Sequence, residues 1–315
     1  MLCARLGPDQ AVQVGETVTV SFDPARLLML EERPGVDKPG PSAYNDRKGV
    51  SPGVGTAAAE SAGRRKVEHM IVVIRGAGDL ATGIALRLYR SGYQLVMTDL
   101  PEPTAIRRTV CFSEAIRQGE MEVEGVQAVC CTDAQNARNR VEQGLVAVLG
   151  DSAGACIPAL KPGAVVDAIL AKKNLGTAIT DAPVVIGVGP GFTAGVDCHA
   201  AVETKRGHTL GRALYTGSPL TNTGVPGIIG GYGAERVLRA PADGTFVPCM
   251  EIGRLVKAGE VAANVEGVPM LCTIDGCLRG ILPARMRPST GRTSAGKGWS
   301  TSSARAMWAG HWCRC

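Results

Sequence analysis

Three side chains that can move protons fall close together in "VIGVGPGFTAGVDCHAAVETKRGH", residues 185–208: Asp197, His199 and Glu203. A histidine beside carboxylates is oriented by them and has its charged form favoured, which suits general acid–base chemistry. Read as a strand, the three share one face, with Cys198, Ala200, Val202 and Thr204 on the other. Read as a helix, His199 and Glu203 still meet at i, i+4. The strand reading turns Cys198 away from His199 and argues against a Cys–His nucleophile. The trio could also ligate a divalent cation, but its spacing matches no familiar ligand pattern, so no metal centre is expected. The plain alternative is a polar strand that closes a hairpin against "GRALYTG". Just upstream, Gly189-Pro190-Gly191 would aim the N–H groups of Phe192, Thr193 and Ala194 at one point. With the Thr193 hydroxyl nearby, that is a cradle for an anion or a carbonyl oxygen.

A second glycine loop lies in "MIVVIRGAGDLATGIALRLYRSGYQLVMTD". Residues 76–81 fit G-x-G-x-x-G/A between a strand and a helix, and a second strand ends at Asp99. In a dinucleotide-binding fold Gly76 would make the tight turn, Gly78 would admit a pyrophosphate, and Asp99 would bond the ribose. Asp79 fits less well, because a carboxylate at a helix N-terminus caps the helix itself and competes with a phosphate. The alternative is a scaffold whose loop serves only the turn. Ser218, Asn222 and Thr223 sit on a turn-rich stretch, residues 215–231, that either covers a pocket or simply connects two elements.

The elements that must position these groups are legible in the apolar runs "MIVVIR", "QLVMTD", "VQAVCC", "LVAVLG", "AVVDAIL" and "PVVIGV". Helices are expected near 79–91, with Leu80, Ile84 and Leu88 on one face, and near 112–120 and 133–143. Apolar strands alternating with helices imply an α/β domain, 69–235, with a Rossmann-like parallel sheet covered on both faces. From residue 236 to 283, short strands and tight turns replace that texture. The pattern resembles the barrel-sandwich of biotinyl and lipoyl modules, although no lysine occurs between Lys257 and Lys297 to carry such a group.

Residues 1–32 alternate with period two at Val12, Val14, Val18, Val20 and Phe22, as a strand pair does. They resemble the end of the β-barrel that closes transporter ATPase subunits. Residues 33–68, rich in Pro, Gly, Ser and charge, read as a disordered linker. Residues 284–315 hold all three tryptophans and no periodicity, and read as a disordered, frameshifted tail.

The 315 residues carry a formal charge of +5, but Arg285, Arg287, Arg292, Lys297, Arg305 and Arg314 supply six of the positive charges; without them the remainder is −1. A nearly neutral body with 4% aromatic residues gives no case for nucleic-acid binding. No apolar run approaches the length of a membrane helix, and no secretory leader is legible. The 11 cysteines, without a C-x-x-C pair, read as reduced thiols of a cytoplasmic protein.

"IRGAGDLATGIALRL", "VVDAILAKKNLGT", "DAPVVIGVGPGFTAGVDCHAAVETKRGHTLGR", "NTGVPGIIGG", "ERVLRAP" and "GCLRGIL" together resemble the maturation or accessory protein of the selenium-dependent molybdenum hydroxylase system. That family is distantly similar to xanthine dehydrogenase accessory factors. The resemblance covers residues 70–283. It implies a cytoplasmic factor that helps equip a molybdenum hydroxylase apoenzyme with its processed cofactor. It also implies that residues 76–83, including Gly83, and 189–203 are site positions. The ligand stays open between a molybdenum-cofactor species and a dinucleotide, and the chemistry between a maturation factor, an NAD(P)-dependent oxidoreductase using Asp99 and His199, and a non-catalytic scaffold.

Overall fold

In the computed structural model the described residues are 20–22, 27–29, 70–224, 228–284 and 305–310. The chain divides into two units, Met1–Thr56 and Ala57–Cys315. In the first, β1 (Val20–Phe22) pairs antiparallel with β2 (Leu27–Met29), Val20 opposite Met29. Val12, Val14, Val18 and the expected linker, residues 33–68, lie outside the described residues, as do 285–304 and 311–315 of the expected tail.

The second unit is built on a nine-stranded sheet. Its strands are β3 (Ile71–Arg75), β4 (Gln94–Thr98), β5 (Glu120–Val123), β6 (Val126–Cys131), β7 (Val146–Leu149), β8 (Ala164–Asp167), β9 (Val184–Val188), β10 (Ala200–Val202) and β11 (Ala213–Leu214). They lie in the order β11-β10-β9-β8-β3-β4-β7-β6-β5. The inner seven are parallel, while β5 and β11 run antiparallel at the two edges.

Among the described residues there are four α-helices: α1 (Asp79–Arg90), α2 (Glu114–Gln118), α3 (Ala134–Glu142) and α4 (Ile157–Leu160). Alternation along β3 sends Val72 and Ile74 to the face covered by Ala81, Ala85 and Leu86 of α1. Ile71 and Val73 go to the face covered by Ala137 and Val141 of α3 and by Ile157 and Leu160 of α4. Helix α1 turns one notch from expectation: Ile84 and Leu88 pack on the core only in part, and Leu80 is exposed. Helix α3 starts where Asp133 accepts the Asn136 N–H at 2.8 Å.

The expected Rossmann-like parallel sheet is therefore corrected to a large mixed sheet with a parallel core and few helices. No helix lies between β8 and β9 or between β9 and β10, so that half of the sheet is wrapped by loops. The expected barrel-sandwich module is corrected as well. Here β12 (Val237–Arg239), β14 (Leu255–Val256), β17 (Gly276–Ile281) and β18 (Arg305–Gly310) form a four-stranded sheet, ordered β12-β18-β17-β14. A three-stranded sheet, β13-β15-β16, is made by β13 (Phe246–Pro248), β15 (Val261–Val265) and β16 (Val268–Leu271). Strand β18 comes from beyond the expected boundary.

This β region belongs to the same compact unit as the large sheet. The Ile281 N–H donates to the Ile106 carbonyl at 2.9 Å, and Arg108 Nε donates to the Ile281 carbonyl at 2.9 Å. A side chain on Gly280 would put its Cβ 3.0 Å from the Ile106 oxygen, so any larger residue would have to push the two segments slightly apart.

Candidate functional site

Strand β3 is followed in sequence by β4 on one side and has β8 on the other, so the strand order reverses between β3 and β8. Outside the carboxyl ends of such strands the connections part and leave a crevice, the usual ligand position of open α/β sheets. Both glycine loops end here. One leaves β3 and the other leaves β9, the strands on either side of β8.

The segment after β8 threads between them. Gly76, at φ +94°, lies so close to it that a Cβ would stand 2.9 Å from the Ala168 carbonyl oxygen and 3.0 Å from Ile169 Cα. Gly191, at φ +107°, meets the same segment from the other side, where a Cβ would stand 2.5 Å from Lys173 Cα. Neither backbone conformation nor the space admits a side chain.

The first loop is tied inward. The Ala77 N–H donates to Asp99 Oδ2 at 2.8 Å, and the Leu100 N–H to Oδ1 at 2.7 Å. Burial pushes the Asp99 carboxyl up, against the downward pull of those two donors. The acid expected to bond a ribose is engaged in holding its own loop. Asp79 pairs with Arg107 at 2.8 Å, and α1 has no side-chain cap at its N-terminus. Gly78 and Gly83 face open space: a Cβ on either would meet nothing within 4 Å. Asp79, Thr82 and Gly83 line an open cavity of about 260 Å³ together with Val110, Glu122 and Glu124.

The second loop differs from a free amide cradle. The Thr193 N–H donates to Asp197 Oδ2 at 2.8 Å, and the Ala194 N–H to the Gly217 carbonyl at 2.8 Å. Two of the three amides expected to face a ligand are thus already bonded. The Thr193 and Ser218 hydroxyls pair at 2.9 Å at the surface.

Asp197, His199 and Glu203 each serve a different backbone group. Asp197 lies in the turn before β10 and caps Thr193. His199 is exposed, and its Nδ1 accepts the Val185 N–H at 3.0 Å, which leaves Nε2 to carry the proton. Glu203 is 3% exposed and accepts the Lys205 and Leu220 N–H groups, both at 2.7 Å. Burial opposes its charge, but the Leu220 and Lys205 donors outweigh it and hold the carboxyl below its ordinary range. The shared-face reading required a strand from 197 to 203, whereas β10 spans only Ala200–Val202. Among the described residues no three His, Cys, Asp or Glu side chains come together in a metal-holding group. Cys198 is buried, and burial pushes its thiol up.

Sequence reasoning missed the charged cluster beneath the crevice. Arg75 and Asp167, the last residues of β3 and β8, are cross-strand neighbours, 1% and 2% exposed. The Arg75 guanidinium lies 3.6 Å from Asp167 and donates to the carbonyls of Ser152 at 3.3 Å and Leu175 at 3.2 Å. Arg75 and Asp167 share the buried Thr177 hydroxyl, which donates to Asp167 Oδ2 at 2.6 Å. Burial pushes the Asp167 carboxyl up; the Thr177 hydroxyl, the Ile169 N–H and Arg75 work against that rise. The available signal was a charged residue closing each of two apolar runs, "MIVVIR" and "AVVD".

No known family model matches the chain. It is 50% identical over 214 residues to a protein of Escherichia coli (strain K12) called Uncharacterized protein YqeB, a match that covers 68% of this chain. The chain spans 40% of that relative's length. Among solved structures it is similar to a succinylglutamatedesuccinylase/aspartoacylase from Rhodobacter sphaeroides over 77% of this chain and 86% of that one. That likeness, at 14% identity and a TM-score of 0.19, is too low to carry fold or activity across. Among the described residues no helix is long and apolar enough to cross a membrane.

Proposed function

We propose that this protein is a cytoplasmic maturation factor of a selenium-dependent molybdenum hydroxylase system, holding a phosphate-bearing cofactor or precursor as cargo at the carboxyl edge of its parallel strands. The observation that supports this most is the convergence of both glycine loops on the segment after β8, where the strand order reverses. Resemblance of residues 70–283 to that family supplies the partner, a hydroxylase apoenzyme.

In this reading the glycines supply close approach, and Asp99, Asp197 and Glu203 keep the loops in shape. The test is production of a molybdenum hydroxylase in cells with and without the protein. The proposal expects hydroxylase turnover and bound processed cofactor to fall together when the protein is absent. Equal turnover and equal cofactor content in both would overturn it.

A further inference from the structure

The loop between β8 and β9 carries two adjacent exposed cations, Lys172 and Lys173, where the second glycine loop closes on it; the first closes on it earlier, at Ala168 and Ile169. Surface lysines are ordinarily solvated and mobile. These two sit on a loop whose backbone is anchored at both ends. At its start the Ala168 N–H donates to the Arg75 carbonyl at 2.8 Å and the Ile169 N–H to Asp167 Oδ1 at 3.1 Å. At its end the Asn174 Oδ1 accepts the Gly176 and Thr177 N–H groups at 2.9 and 2.8 Å, and the buried Arg75–Thr177–Asp167 cluster anchors Thr177 from below. Between these anchors Leu170 and Lys172 hold φ +60° and +65°. Side chains with a Cβ rarely adopt that region, and it persists where the surroundings over-determine it, commonly at ligand clamps.

Two neighbouring loops are joined to this one. Lys172 Nζ and the Gly224 N–H both lie 3.1 Å from the Asn222 amide oxygen, in the amide orientation that satisfies both donors. The Lys173 backbone rests on Gly191, and two residues beyond Gly191 the Thr193 hydroxyl pairs with Ser218. Two ammonium groups and two hydroxyls thus come from three loops tied to each other.

We infer that Lys172 and Lys173, with the Thr193 and Ser218 hydroxyls, form a subsite for the phosphoryl groups of a diphosphate-bearing ligand. The inference deepens the proposed function and rests on it for the ligand's identity. It reverses the expectation that loop amides supply the recognition: Thr193 and Ala194 have given theirs away, and the charge comes from the neighbouring loop. A diphosphate suits two adjacent point cations, each a strong hydrogen-bond donor to an anionic oxygen.

The experiment is calorimetric titration of the full chain with inorganic pyrophosphate at low salt, for wild type, Lys172→Ala/Lys173→Ala and Lys257→Ala, the last a lysine of the β region paired with Asp275. Succinate serves as the bare-dianion comparison. The inference expects wild type and Lys257→Ala to bind alike, the double variant to bind about tenfold or more weakly, and succinate to bind more weakly than pyrophosphate. Circular dichroism of the double variant checks that the exposed substitutions leave the fold intact. Unchanged affinity in the double variant, no pyrophosphate binding by wild type, or succinate binding equally well would overturn the subsite. The coproduction assay reads the parent proposal separately: a hydroxylase that still depends on the protein while pyrophosphate fails to bind sinks the subsite alone. Pyrophosphate binding lost in the double variant beside a hydroxylase indifferent to the protein sinks the maturation role alone.

Discussion

Gly191 and Lys173 meet backbone to backbone: a Cβ on the glycine would stand 2.5 Å from the lysine Cα and 2.7 Å from its nitrogen. Because the obstacle is main chain, no side-chain rotation relieves it. Gly191→Ala should therefore cost about 1–3 kcal/mol, from strain at φ +107° and displacement of the lysine loop. Pyrophosphate affinity should fall with it. Chemical denaturation and titration of the same sample check both; an unperturbed variant would mean that the loops do not clamp each other.

Gly78 and Gly83 are the converse, since a Cβ there meets nothing within 4 Å. Gly78→Ala should change stability by less than about 0.5 kcal/mol. Gly83→Ala, on an exposed helical position, should raise it by about 0.5–1 kcal/mol. Gly78→Ala is then a clean probe of the first loop: a loss of cargo binding with melting temperature unchanged would place ligand against residue 78.

Arg75 compensates a buried carboxylate, so Arg75→Met should destabilise by about 3–5 kcal/mol. Asp167→Asn beside it should recover part of that loss, because the stranded charge is gone. A double-mutant cycle by urea denaturation reads the coupling, and strict additivity would deny that the two residues form one unit.

The pH response has two opposing parts. Glu203 is held below its ordinary range in the fold, so its contribution is complete above that range and is lost as pH falls through the lowered value. Asp99 and Asp167 are raised, so their contribution is present below the ordinary carboxylate range and is lost as pH rises through the raised values. Glu203→Gln, which leaves one buried N–H facing an amide NH₂, should cost about 1–3 kcal/mol near neutral pH and flatten the acid limb. Melting temperatures across the pH range, wild type against variant, would show an unchanged acid limb if Glu203 were not the group responsible.

Much of the parallel core is readable in the chain. The runs "MIVVIR", "QLVMTD" and "VQAVCC" became β3, β4 and β6, and α1, α2 and α3 lie within the three spans expected to be helical, whereas the single turn of α4 at Ile157–Leu160 was not read. The antiparallel edges were not read, for different reasons. Strand β5 turns back into β6 through Glu124 at φ +50° and Gly125 at φ +76°, a pair of positive values that defines a tight hairpin turn, and "EG" between two apolar alternations was a usable signal. Strand β11 has two residues, too few for any period. Within the site, Gly76, Gly189 and Gly191 were legible because positive φ calls for glycine. The work of Asp99, Asp197 and Glu203 was not, because a carboxylate that bonds a distant N–H carries the same letter as one that meets a substrate. Leu220 lies 17 positions from Glu203, and no local pattern joins them.

The central claim is that the carboxyl edge between the two glycine loops holds a phosphate-bearing cargo. Native mass spectrometry of the full chain purified from cells making a molybdenum hydroxylase tests it most directly, with bound small molecules identified after denaturation. The account predicts a phosphate-bearing species on the wild type that is lost from the Lys172→Ala/Lys173→Ala variant. A wild type that carries no such species, or a variant that retains it in full, would contradict the claim.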